Sequence, residues 1–149
     1  MKVLFLLFSL VLVGGQEPYG VSNASANLST VVVGEVSLKP GQRTTLRGEA
    51  LTIELISVSN DSRCPIDATC IRQGNAEVNV KVTQGGRPPS SLRLNTSGVP
   101  GGGKMEHSNE ASYLNYTIRL TELQPAPKVG ATIPQKAYVA KFIVLKEAP

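Results

Sequence analysis

The chain has 149 residues, a formal net charge of +4, 5% aromatic residues, no Trp and two cysteines. Its Lys and Arg residues are scattered, and it lacks the concentrated basic face with interleaved aromatics that a nucleic-acid reader uses, so no nucleic-acid partner is expected. The length suits one domain with a single core that needs no metal to fold.

Residues 1–15 read as a signal peptide. Lys2 supplies a positive start, residues 3–13 form an apolar run broken only by Ser9, and Val13-Gly14-Gly15 places small residues before a cleavage at Gln16. Ala24-Ser25-Ala26 offers a second cleavage point. The run is shorter than the about 20 apolar residues a membrane span takes. No cysteine follows it to carry a lipid anchor. The expectation is an exported protein, extracellular, periplasmic or envelope-associated, with no stable membrane span after cleavage. Residues 16–30 are polar and small and read as a flexible leader.

Residues 31–149 read as one β-sandwich domain. Strands are predicted near 31–38, 43–47, 51–58, 75–83, 90–95, 112–122 and 137–146. Leu51, Ile53 and Leu55 alternate with polar residues, as do Ala76, Val78, Val80 and Val82, then Leu92 and Leu94, then Leu114, Tyr116, Ile118 and Leu120. Such alternation puts one face on a core and the other in water. The segment from Tyr138 to Leu145 is apolar on both faces apart from Lys141, which suits a central strand. Between the runs lies turn chemistry. Lys39-Pro40-Gly41-Gln42 fits a type II turn, and Gln84-Gly85-Gly86 and the glycine-rich stretch 97–103 separate further strands. Pro125, Pro127 and Pro134 keep the last connection out of the sheets. About seven short strands with such turns predict an all-β sandwich, immunoglobulin-like in general architecture.

The two cysteines, Cys64 and Cys70, are expected to pair with each other in an exported chain. Closing so short a loop contributes roughly 2–2.5 kcal/mol through chain entropy. Redox exchange would prefer two intervening residues and a helix N-terminus, and structural zinc needs four ligands, which Cys64, Cys70 and the lone His107 do not reach. Neither a metal nor another cofactor is expected. Asp61 can accept backbone N–H groups in a turn and pair with Arg63 or Arg72, which makes these three residues candidates for loop organisation or binding.

Asn60-Asp61-Ser62-Arg63-Cys64-Pro65, followed by Cys70 and Gly74-Asn75-Ala76, resembles a family of uncharacterised bacterial secreted and lipoprotein-like β-domain proteins marked by Asp-Ser-Arg-Cys-Pro-x4-Cys. The likeness extends to residues 116–125, to Ile133-Pro134 and to Tyr138-Val139-Ala140. The family often carries an aromatic residue where this chain has Arg72. The resemblance implies a bacterial envelope setting and no particular chemistry. In that setting the sequons at Asn23, Asn27, Asn60, Asn95 and Asn115 are expected to stay unused, whereas a eukaryotic secretory route could glycosylate them.

No coherent catalytic set emerges. The segment 98–105 approaches a P-loop but ends in Met105 where a hydroxyl is needed. His107 is the only histidine and sits among polar residues, and no Gly-x-Ser-x-Gly elbow exists. The expected function is therefore a non-catalytic exported module that binds a protein or glycan partner or serves structurally. The alternative is a small secreted protease inhibitor that presents a loop from a rigid scaffold.

Overall fold

The computed structural model describes residues 29–96 and 108–148. The expected signal peptide, nearly all of the leader, the segment 98–105, His107 and the sequons at Asn23 and Asn27 lie outside the described residues. Eight strands form in chain order: β1 Thr30–Leu38, β2 Arg43–Leu46, β3 Leu51–Ser59, β4 Glu77–Gln84, β5 Ser90–Asn95, β6 Glu110–Tyr113, β7 Tyr116–Gln124 and β8 Val139–Glu147. Among the described residues one 3-10 turn, η1 (Gln135–Ala137), precedes β8.

The strands make two four-stranded antiparallel sheets, ordered β1-β8-β7-β6 and β2-β3-β4-β5. Their inner faces share one core. It contains Leu51, Ile53 and Leu55 from β3, Val78, Val80 and Val82 from β4, Leu94 from β5, Tyr116, Ile118 and Leu120 from β7, and Ala140, Phe142 and Val144 from β8. Burying a side chain such as Ile53 or Phe142 contributes on the order of 1.5–3 kcal/mol. The general architecture is the expected sandwich. The chain winds through it as two meanders, with β8 returning to pair with the first strand, β1. β8 is an inner strand, as its two apolar faces predict.

The strand count differs from the sequence reading at one place. The predicted strand 112–122 is a hairpin, β6 and β7, in which Tyr113 pairs with Tyr116. Leu114 is therefore not a core residue. It stands at the first turn position with φ 55° and is half exposed. The turn at Lys39–Gln42 forms as predicted, with Gly41 at φ 84° and Gln42 N–H donating to the Lys39 carbonyl over 2.9 Å.

Register irregularities interrupt β3 and β7 near the same end of the sandwich. Inward residues run Leu51, Ile53, Leu55 and then jump to Val58, because a register shift lies between Leu55 and Ser57. In β7 they run Tyr116, Ile118, Leu120 and then Leu123, across a shift between Leu120 and Glu122. Bulges of this kind increase local twist and re-aim the rest of the strand. Here they deliver the loop after β3 and the connection after β7 to one place.

Candidate functional site

That place is the end of the sandwich holding the disulfide. Asn60, at φ 50°, turns the chain out of β3. Asp61 then organises the loop. Its Oδ1 accepts the backbone N–H of Arg63 at 3.2 Å and the Arg63 Nε–H at 2.9 Å, and its Oδ2 accepts Arg63 Nη2–H at 2.7 Å. This is the planar two-toothed pairing that a guanidinium makes with a carboxylate. The remaining donors of Arg63 reach across to the other sheet, at the end of β7 and the connection that follows it. Nη1 donates to the Leu123 carbonyl at 2.6 Å and Nη2 to the Pro125 carbonyl at 2.9 Å. Tyr138 completes the cluster by donating its phenol to Asp61 Oδ2 at 2.9 Å.

Beyond Arg63 the loop closes on itself. Ser62 N–H donates to Asn75 O and Cys64 N–H to Gln73 O, each at 2.7 Å, so the two legs pair like a short ladder. The Cys64–Cys70 disulfide, with Cα atoms 6.0 Å apart, shuts the tip. Gly74 is required in this ladder. Its φ is 62°, and a side-chain Cβ would stand 1.8 Å from the Ser62 carbonyl oxygen. The tip is also tied sideways. Ile66 N–H donates to Pro127 O at 3.0 Å, and Val129 N–H donates to Asp67 Oδ1 at 2.9 Å.

The electrostatics of the cluster follow from its burial and its bonds. Burial pushes the Asp61 carboxyl up, but hydrogen bonds from Arg63 and Tyr138 outweigh it and hold the group below the usual carboxylate range. Burial, and then the bond to the Asp61 carboxylate, push the Tyr138 phenol up to about 12. At neutral pH the cluster is a carboxylate, a guanidinium and a neutral phenol that satisfy one another. A carboxylate so held is a weak base, and a phenol so held is a weak acid. The arrangement is built to clamp the loop.

Of the candidates named from the sequence, Asp61 and Arg63 come together. Arg72 is exposed on the returning leg and pairs with no carboxylate among the described residues. Sequence reasoning missed Tyr138, which contacts a residue 77 positions away. It also missed Gln135. The side-chain amide of Gln135 accepts Val58 N–H at 3.1 Å and donates back to Val58 O at 2.5 Å. It does so where β2 has ended, and so occupies the open edge of β3. Beside it lies an open depression of about 430 Å³ between the end of β3 and the connection 127–138.

The opposite end of the sandwich has its own clasp. Glu49, in the turn between β2 and β3, accepts the Tyr116 phenol and the Lys146 ammonium (2.7 Å), joining the two sheets. The Lys146 hydrogen bond, followed by that from Tyr116, lowers the Glu49 carboxyl. Asn60 and Asn115 are exposed, whereas Asn95 is 2% exposed. Among the described residues no group of three or more His, Cys, Asp and Glu side chains is placed to hold a metal ion, and no helix is long and apolar enough to cross a membrane.

No known family, curated protein or solved structure matches this chain.

Proposed function

We propose that the chain is a non-catalytic exported module that binds a protein partner through its disulfide-closed end. The observation that carries this reading is the arrangement of that end. The polar side chains Asp61, Arg63 and Tyr138 bond one another and the neighbouring backbone on the inside, while Ile66, Ile71 and Val129 stand exposed on the outside. A loop fixed on both flanks loses little freedom when it binds, which is how a rigid scaffold gains affinity. The apolar run of residues 3–13 and the likeness of the Asp61–Cys70 segment to bacterial envelope proteins support the exported setting. A protein partner is favoured over a glycan because Tyr113, Tyr116, Tyr138 and Phe142, the aromatics of the described residues, are all buried. Sugar sites use exposed rings for stacking.

The test is lysine-directed crosslinking in the cells that make the protein, followed by mass spectrometry. The expected result is a mature N-terminus at Gln16, oxidised Cys64 and Cys70, and one partner joined near the disulfide loop. Free thiols, or a measured turnover abolished by changing one polar residue, would count against the reading. A protease inhibitor is the second reading, favoured by the exposed stretch of residues 66–72, whose disulfide-closed tip is anchored at Pro127 and Val129. Absence of inhibition across a broad protease panel at micromolar concentration would remove it.

A further inference from the structure

The exposed apolar side chains of the disulfide end stand on two adjoining segments. Ile66 is 66% exposed and Ile71 104% exposed in the loop, and Val129 is 63% exposed in the connection. The Ile66–Pro127 and Val129–Asp67 hydrogen bonds hold these segments side by side. The other large exposed apolar residues sit apart from them, on β1 (Val31, Val32), at the β3 bulge (Ile56) and at the β6–β7 turn (Leu114).

The charges bordering this ridge are mainly positive. Arg72 follows Ile71, Lys128 precedes Val129, and Lys136 lies in η1. All three are exposed and form no ion pair among the described residues. Asp61 is engaged by Arg63 and Tyr138, whereas the exposed Asp67 accepts only the neutral Val129 N–H and keeps its charge, so these groups together remain net positive. An apolar ridge with a cationic border matches an apolar recess with an anionic border.

Resting on the reading of this end as a protein-binding surface, we propose that the partner presents an apolar recess bordered by carboxylates. Ile66, Ile71 and Val129 enter the recess, and Arg72 and Lys128 face its acidic border. An anionic membrane is the less suitable occupant. Lipid-binding clusters gather about 4–8 basic residues, each contributing about 1 kcal/mol. Here Arg72, Lys128 and Lys136 fall short of that number, and Asp67 opposes them.

The experiment places a photocrosslinking amino acid at Ile71, or at Thr45 on the outer face of β2, in the full-length protein inside the cells that make it. The protein captured from position 71 is identified, purified and titrated with the wild type, with an Arg72→Glu/Lys128→Glu variant and with Ile66→Ser. The proposal expects capture from position 71 and not from position 45. It also expects affinity to fall about tenfold or more with charge reversal, and similarly between about 50 mM and about 500 mM NaCl. Capture from position 71 with affinity indifferent to charge and salt overturns the acidic recess and leaves the binding module standing. Capture from position 45 alone, or from neither position, overturns both. Cosedimentation with vesicles of phosphatidylglycerol and phosphatidylcholine, lost in the charge-reversed variant, overturns the proposal in favour of a membrane surface.

Discussion

The Tyr138 phenol donates to Asp61 Oδ2 over 2.9 Å and so ties the entry to β8 to the loop after β3. This contact sets limits to stability at both ends of the pH scale. Asp61 titrates below its ordinary 3.8 when folded, so its contribution is complete above that value and drains away as pH falls through the lower, folded one. Tyr138 moves the other way, from 10.0 to about 12, so the fold favours its neutral form. Its contribution is complete below pH 10.0 and is lost as pH rises toward about 12. Tyr138→Phe is expected to cost about 1.5 kcal/mol at neutral pH and to flatten the alkaline fall of the urea midpoint. The part of that fall which remains belongs to Tyr116 and Lys146, both raised in the fold.

Arg63 serves three acceptors at once, the Asp61 carboxylate and the carbonyls of Leu123 and Pro125. Arg63→Ala leaves a largely buried carboxylate without its counter-charge and is expected to cost about 3 kcal/mol in urea denaturation. Arg63→Lys keeps the charge but loses the planar fork, and should recover less than half of that loss. Full recovery by lysine would mean that charge alone holds the loop.

Leu114 holds φ 55° at the first central position of the β6–β7 turn, where tight hairpins of one type take Gly. Its side chain is half exposed and adds nothing to the core. Leu114→Gly is expected to raise stability by about 0.5–1 kcal/mol, because an L side chain in this region costs about 1–2 kcal/mol and the added flexibility of glycine offsets part of the gain. Chemical denaturation of the purified variant checks the sign.

Much of the sandwich was legible in the sequence, because alternation is a local signal. Val78, Val80 and Val82 announce an inward face directly, and the doubly apolar run ending at Leu145 announces a central strand. The hairpin at Leu114 was hidden because Leu114 continues the alternation of Tyr116 and Ile118 while standing in a turn that carries no Gly or Pro. The bulges left a trace, a spacing of three where two is regular, from Leu55 to Val58 and from Leu120 to Leu123. The clamp was half legible. Asp61 and Arg63 are two residues apart and could be paired on paper. Tyr138 and Gln135 act across 77 residues, and no local pattern encodes such a meeting.

Gln135 gives β3 one residue's worth of strand pairing from a side chain. Removing it by Gln135→Ala uncovers both main-chain groups of Val58 on an edge that β2 does not reach. Hydrogen exchange at the Val58 amide is expected to accelerate about tenfold or more, with the far-UV spectrum unchanged. Because uncovered edges invite pairing with other chains, the variant should also self-associate at lower concentration in light scattering.

Ala148 N–H donates to Ser29 O over 2.8 Å, so the first and last described residues meet. They do so beside the Glu49 clasp, where Glu147 N–H donates to the carbonyl of the turn residue Asn115. Any chain joined before Ser29 or after Ala148 therefore leaves from one pole, with Cys64 and Cys70 at the other. A tether of either kind would act as a stalk and hold the cysteine loop at the greatest reach from its attachment. The same closeness makes the domain a natural insert. Spliced by both ends into a host loop, it would keep its sheets intact and point its disulfide pole away from the host.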